Sequence, residues 1–293
     1  MESIILDTDI GLDVDDALAL GMVLGARGDL QLRGVTVVHD DVRMRANLAA
    51  HVLATAGRTD VPVAMGVSEP LAEPLHHDDI QAQARVLPKD AAFVAIISRE
   101  APDFLYETCR QSPGQITVVA IGPLTNLAAT LTRHPDFPGL IKQLDLMGGS
   151  AEKDTAEYNI KTDPEAADIV FRSGIPTRLV PLNVTKRCAM EDDSLARLHH
   201  DKRPLPALLD QLISFWGMAY HAPRPVLHDP LAVGLFTTPN LYKLEPMRIE
   251  VNLHADGPRG RTLCIPDANS PIRVCTAVDY AGFLQHFDSL ILD

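Results

Sequence analysis

Residues 6–20 read Leu6-Asp7-Thr8-Asp9-Ile10-Gly11-Leu12-Asp13-Val14-Asp15-Asp16-Ala17-Leu18-Ala19-Leu20, with five carboxylates in the ten positions from Asp7 to Asp16. Before this stretch, Ser3–Leu6 is short, apolar and β-branched; after it, Leu18, Leu20, Gly21 and Leu24 form an apolar stripe over Asp15–Ala26. The pattern predicts a strand, an acidic turn over residues 7–16, and a helix. Crowded like charge is tolerated when a cation sits in it or when one member holds a proton. Acidic residues at a helix start are commonly caps, and for Asp15 alone that reading is preferred. Five carboxylates in ten positions exceed what a cap requires.

The same alternation continues outward. Arg33–Val38 precedes Arg43–Ala56, and Gln115–Ile121 precedes Leu124–Leu131, followed by Leu144–Met147, Pro164–Arg172 and Thr177–Leu182. Arg248–Asp293 reads as strands followed by a helix at Tyr280–Phe287. Short apolar runs alternating with helical-period segments define an α/β fold, a single open and mostly parallel sheet flanked by helices. No repeat or linker divides residues 1–293, so one domain is expected. Residues 67–89, rich in Pro, acid and His, break the rhythm and read as a long loop or lid.

With 46% apolar residues among 293, the chain can bury a substantial core. Its formal net charge of −13 argues against nucleic acid or an anionic membrane as the main partner. The N-terminus lacks a basic segment followed by a long apolar one, and no apolar run reaches the ~18 residues of a membrane span. A cytoplasmic location is expected. Cys109, Cys188, Cys264 and Cys275 show no C-x-x-C spacing and read as reduced thiols.

In an open parallel sheet the binding crevice lies beyond the carboxyl ends of the strands. Five segments should therefore converge on one rim: residues 7–16, His39-Asp40-Asp41, Ile121-Gly122-Pro123-Leu124-Thr125-Asn126, Met147-Gly148-Gly149-Ser150 and Asn183-Val184-Thr185. Their oxygen donors suit a hard cation such as Ca²⁺, whereas zinc or copper would call for His and Cys. An EF-hand is the rival explanation, but neither register supplies its spacing or its closing Glu. Further on, His228-Asp229-Pro230 adds a carboxylate beside an imidazole before another apolar helix.

The combination resembles the nucleoside hydrolase family, the inosine-uridine-preferring type, over nearly the whole chain. D-T-D-I-G-x-D-x-D-D-A-x-A-L is similar to a longer variant of the family's D-x-D-P-G-x-D-D-A. G-P-L-T-N, M-G-G, A-E-Y-N, D-P-E-A-A and H-D-P-x-A then follow in family order. The resemblance implies a Rossmann-like α/β domain that cleaves the N-glycosidic bond of ribonucleosides, with Ca²⁺ as cofactor and a homodimer or homotetramer as the assembly. Residue by residue it implies Asp9 as metal ligand and base toward the attacking water, with Asp16, Asp229 and the backbone carbonyl of Thr125 as further ligands. Asp15 matches the contact to the ribose 2′-hydroxyl. Met147, Glu157 and Asn159 match the substrate side, and His228 matches the histidine that protonates the departing base in some members.

Some positions depart from the family pattern. His39-Asp40 replaces the usual Gly-Asn, leaving Asp40 as the candidate oxygen near the ribose. The loop between Met147 and Glu157 is short and lacks a sugar-capping Asn; Lys153 and Thr155 are candidates to take its place. In the lid, His76 is the candidate substrate contact and His77 a surface histidine. Asp13 is open between support of the metal site and solvation of the loop, and Trp216 and Tyr220 between stacking on a base and core packing. Three activities compete: hydrolysis of ribonucleosides or of a modified N-riboside, binding of a ribosylated ligand without catalysis, and phosphoryl transfer. The last would rest on D-x-D-x-T, but Gly11 stands where that pattern needs Thr.

Overall fold

The predicted βα alternation is realised as one ten-stranded sheet. A computed structural model describes residues 2–26, 28, 30–78, 80–89, 93–254 and 257–293. The strands are β1 (Glu2–Thr8), β2 (Leu30–Val37), β3 (Val63–Met65), β4 (Ile96–Ile97), β5 (Ile116–Ala120), β6 (Gln143–Met147), β7 (Thr177–Val180), β8 (Tyr242–Val251), β9 (Thr262–Pro266) and β10 (Ile272–Val278). The helices are α1 (Asp15–Gly25), α2 (Val42–Thr55), α3 (Gln81–Ala84), α4 (Ala101–Gln111), α5 (Thr125–Arg133), α6 (Tyr158–Thr162), α7 (Pro164–Phe171), α8 (Leu182–Thr185), α9 (Asp192–His200), α10 (Pro204–Tyr220), α11 (His228–Thr237) and α12 (Tyr280–Ile291).

The strand order is β4-β3-β2-β1-β5-β6-β7-β10-β8-β9. Pairing is parallel from β4 through β10 and antiparallel at β10–β8 and β8–β9. The order reverses at β1, which lies between β2 and β5, and such a switch point opens a crevice at the carboxyl ends of the strands. The chain's acidic turn leaves β1 at that point.

Apolar layers cover both faces. Leu18, Leu209, Leu231 and Phe283 belong to one, and Leu105, Leu127, Phe137 and Val170 to the other. The predicted stripe on α1 understates its burial: every residue from Asp15 to Leu24 is buried. α1 is packed by α2, α10, α11 and α12, so it has almost no solvent face and no need of amphipathic spacing. β3 and β4 were not apparent in the sequence, because three and two residues are too short to show a period. All four cysteines are free thiols. Among the described residues, no helix is long and apolar enough to cross a membrane.

Candidate active site

The acidic turn divides its five carboxylates between different tasks. Asp7 is fully buried and accepts from Thr36 Oγ1 at 2.5 Å and Asn126 Nδ2 at 2.7 Å, tying β1 to β2 and α5. Burial pushes its carboxyl up to about 7. Asp13 lines the wall of a cavity of about 440 Å³, and its Oδ1 accepts from Val14 N. Asp9, Asp15 and Asp16 line the same cavity and are 3–6% exposed.

Asp229 at the start of α11 joins them. Oxygens of Asp15, Asp16 and Asp229 lie within 4.8 Å of one another. Asp15 does not cap its own helix, whose N-cap is Val14 without a side-chain bond. Instead its Oδ2 accepts from Asp229 N at 3.1 Å, so the N-termini of α1 and α11 converge on the cluster with their positive dipole ends. Burial, then repulsion from neighbouring carboxylates that include Asp9 and Asp13, raises the proton affinity of all three well above the ordinary carboxylate range. A buried all-oxygen set under this repulsion fits a hard divalent cation. Asp9 lies outside the tight triad, although its charge is among those acting on Asp16 and Asp229.

Asp9 is held from behind. Arg45, fully buried in α2, donates through Nη1 to the carbonyls of Asp9 and Ile10 and through Nε to that of His39. A Cβ on Gly122 would lie 2.8 Å from Asp9 Oδ1, so glycine is required where the turn after β5 meets the carboxylate. That is the physical content of G-P-L-T-N at its first position.

The structure does not bring Thr125 into the cavity. Its hydroxyl donates to Asp163 Oδ2 at 2.8 Å at the start of α5, and the residue after β5 that lines the cavity is Ile121. The Ile121 carbonyl accepts from Asn159 Nδ2 at 2.8 Å, and the same amide reaches Met147 O at 3.2 Å. Asn159 therefore staples the ends of β5 and β6, and the end left for a ligand is its carbonyl. Glu157 accepts from the N–H groups of Gly149, Asn159 and Ile160, and burial lifts its carboxyl to about 7. Met147, Glu157 and Asn159 all line the cavity.

Asp40 and His76 do not line it. Asp40 has a left-handed backbone (φ 51°), as does His39 (φ 70°), and its carboxylate faces the lid, accepting from Asp78 N at 2.8 Å and pairing with His77 Nδ1 at 2.8 Å. His76 is exposed. Lys153 and Thr155 are likewise absent from the lining. The lid also reaches the acidic turn through Gln83 in α3, whose Nε2 donates to Asp13 O at 2.7 Å.

Trp216, Tyr220 and His228 also line the cavity. His228 Nδ1 lies 2.7 Å from Thr185 Oγ1, and burial pushes its pKa down to about 4, so the imidazole is neutral at pH 7. The site thus combines buried carboxylates, the aromatic rings of Trp216 and Tyr220, and one imidazole with its Nδ1 engaged by Thr185.

An open α/β sheet with this cavity at its switch point has the layout of an N-glycosidase of the nucleoside hydrolase class. The chain belongs to the inosine-uridine preferring nucleoside hydrolase family, whose sequence profile matches residues 4–285. It is 31% identical to the pyrimidine-specific ribonucleoside hydrolase RihA of Shewanella woodyi, covering 96% of this chain and 95% of that protein. It is 34% identical to the probable uridine nucleosidase 2 of Arabidopsis thaliana, over 82% and 79% respectively. The purine-preferring ribonucleoside hydrolase of Gardnerella vaginalis superposes with a TM-score of 0.88 at 27% identity, covering 99% of this chain and 98% of its own.

Proposed function

We propose that this protein hydrolyses the N-glycosidic bond of ribonucleosides in a Ca²⁺-dependent reaction, giving free base and ribose. The observation that carries the proposal is the buried triad Asp15, Asp16 and Asp229 in one cavity with Asp9 and His228. Asp16 and Asp229, with Asp9 lining the same cavity, are the groups that would hold the ion. Bound there, Ca²⁺ would orient the sugar's vicinal hydroxyls and make a water more acidic.

Cleavage passes through a sugar with oxocarbenium character, which is stabilised by negative charge beneath the ring. Asp9 supplies that charge and takes the proton of the attacking water, while Asp15 accepts from the 2′-hydroxyl. With Nδ1 engaged by Thr185, the His228 nitrogen left to face the departing base is Nε2. Because Nδ1 accepts from the Thr185 hydroxyl, the neutral imidazole carries its proton on Nε2 and donates a hydrogen bond toward the base.

His228→Ala is expected to lower kcat/KM for ordinary nucleosides by about 10²-fold through loss of the hydrogen bond to the departing base, and to spare a p-nitrophenyl riboside, whose phenolate departs unaided. Equal losses on the two substrates would make the imidazole a support for Asp229 only. The proposed reaction itself is tested by mass analysis after incubation with purine and pyrimidine ribonucleosides and their phosphorylated forms. Free base plus ribose supports it. Phosphate release, or binding without turnover, overturns it. A homodimer or homotetramer is also expected from the family resemblance, and sedimentation of a monomer at high concentration would refute that without touching the chemistry.

A further inference from the structure

β9 ends the strand order and pairs on one side only, with β8. With its flanks it reads Arg261-Thr262-Leu263-Cys264-Ile265-Pro266-Asp267. Asn252 N donates to Arg261 O at 2.8 Å and Asp267 N to Pro246 O at 3.2 Å, so the odd-numbered residues of this stretch spend their backbone groups on β8. Thr262, Cys264 and Pro266 turn theirs to the open edge, where among the described residues they have no hydrogen-bond partner. Side chains alternate the other way. Thr262 bonds to Ser150 and Cys264 packs on the apolar layer of Leu105 and Val170, which leaves Arg261, Leu263, Ile265 and Asp267 together on the outer face. Leu263 is 49% exposed. Arg261 donates to the Lys153 carbonyl and Asp267 accepts from Asn269 N, and among the described residues neither is in an ion pair.

An uncovered apolar edge is a template for further pairing, and chains that avoid pairing place charge within it. Here the strand itself is uncharged, and the charges at its two ends are opposite in sign. The outer face runs cation, Leu, Ile, anion, and an antiparallel copy presents anion, Ile, Leu, cation against it. We propose that β9 pairs antiparallel with β9 of a second copy of this chain, across a two-fold axis at Cys264 that continues the sheet from one copy into the other. In that register Leu263 meets Ile265 of the second copy and Arg261 meets its Asp267, each twice by symmetry. The Cys264 N–H and carbonyl bond to their own counterparts, and the Thr262 N–H reaches the Pro266 carbonyl, so that the missing N–H of Pro266 forfeits only the return bond. Moving the axis to Leu263 would set Arg261 against Ile265 and lose both charge pairs. The backbone and the aliphatic pairs supply the affinity, while the charges fix the register. This pairing rests on the functional reading above only for the presence of a second copy, because the edge shares no residue with the catalytic cavity.

The test is sedimentation velocity over a concentration series for the unmodified protein, Arg261→Asp, Asp267→Arg, the two combined, and Leu263→Lys, with circular dichroism to confirm folding. Each single charge reversal is expected to raise the dissociation constant of the assembly by about 10-fold or more, because both attractive pairs become repulsive. The combined variant again sets opposite charges against each other and is expected to return to within a few-fold of the unmodified value. Leu263→Lys, which puts an ammonium into the aliphatic pair, is expected to weaken association at least as much as a charge reversal. Association unchanged by Arg261→Asp and Leu263→Lys puts the interface elsewhere and overturns this assignment alone. A combined variant no tighter than either single one overturns the register. An unmodified protein that stays monomeric at every concentration overturns the assignment together with the expected homo-oligomer, and leaves the catalytic reading untouched.

Discussion

Asp9→Asn is expected to reduce turnover of every riboside by about 10³-fold or more, p-nitrophenyl riboside included, at the upper end of what loss of a general base produces. The leaving group does not enter, because Asp9 acts on the water and the charge beneath the ring rather than on the base. Burial lifts the Asp9 carboxyl to about 6, and the Arg45 charge opposes that rise. A cation in the neighbouring cluster would lower it further, keeping the carboxylate as the resident form at neutral pH. Asparagine preserves the shape beside Gly122 and leaves the backbone contacts of Arg45 in place, so the variant should fold normally. Steady-state kinetics on both substrates, with circular dichroism as a check on folding, decide the matter. A loss confined to natural nucleosides would assign Asp9 to the leaving group instead.

Asp16→Ala is expected to abolish tight Ca²⁺ binding and activity together, and chelation of the unmodified protein to do the same reversibly. Thr8 Oγ1 donates to Asp16 Oδ1 at 2.5 Å, fixing one oxygen of a group that is 4% exposed, and alanine takes both of its oxygens out of the cluster. Calorimetry of Ca²⁺ binding and activity after chelation are the measurements; full activity in metal-free protein would remove the cation from the reaction. A pH dependence follows. In the metal-free fold the raised pKa values of Asp15, Asp16 and Asp229 mean that these groups contribute stability below the ordinary carboxylate range and lose it as pH rises through their folded values. Ca²⁺ relieves the repulsion, so its thermal upshift should grow from pH 5 to pH 8, while protons compete with it and weaken binding at the acid end.

Much of the site could be read along the chain because the chemistry resides in side chains at a strand-to-helix turn. The apolar run of β1, the spacing of Asp9, Asp15 and Asp16, and the His228-Asp229 pair before an apolar helix need no knowledge of distant contacts. The parallel sheet was legible for the same reason: alternating periods of two and 3.6 are local. The helical stripe of α1 was incomplete because four helices packed around it bury it from Asp15 to Leu24, and sequence spacing cannot register neighbours such as α10, α11 and α12 that arrive 170 or more residues later.

Other assignments depended on directions that the sequence does not encode. Ile121 follows β5 directly and Thr125 begins α5, but only the fold shows that the Thr125 hydroxyl faces Asp163 and that Ile121 lines the cavity. An apolar residue after a strand reads as core, so the identity of Ile121 carries no signal of the cavity. Asp40 has the right chemistry for a sugar contact, yet its left-handed backbone turns it to the lid. Arg45 reads as one more charge on a helix, and it is the crossing of α2 behind the acidic turn that buries it against Asp9 and Asp78. By itself the sequence determined the α/β class, the acidic turn and the family, because local periodicity and side-chain type suffice for these. Which oxygens share one cavity was decided only in three dimensions, because that depends on where segments up to 214 residues apart cross, as Asp15 and Asp229 do.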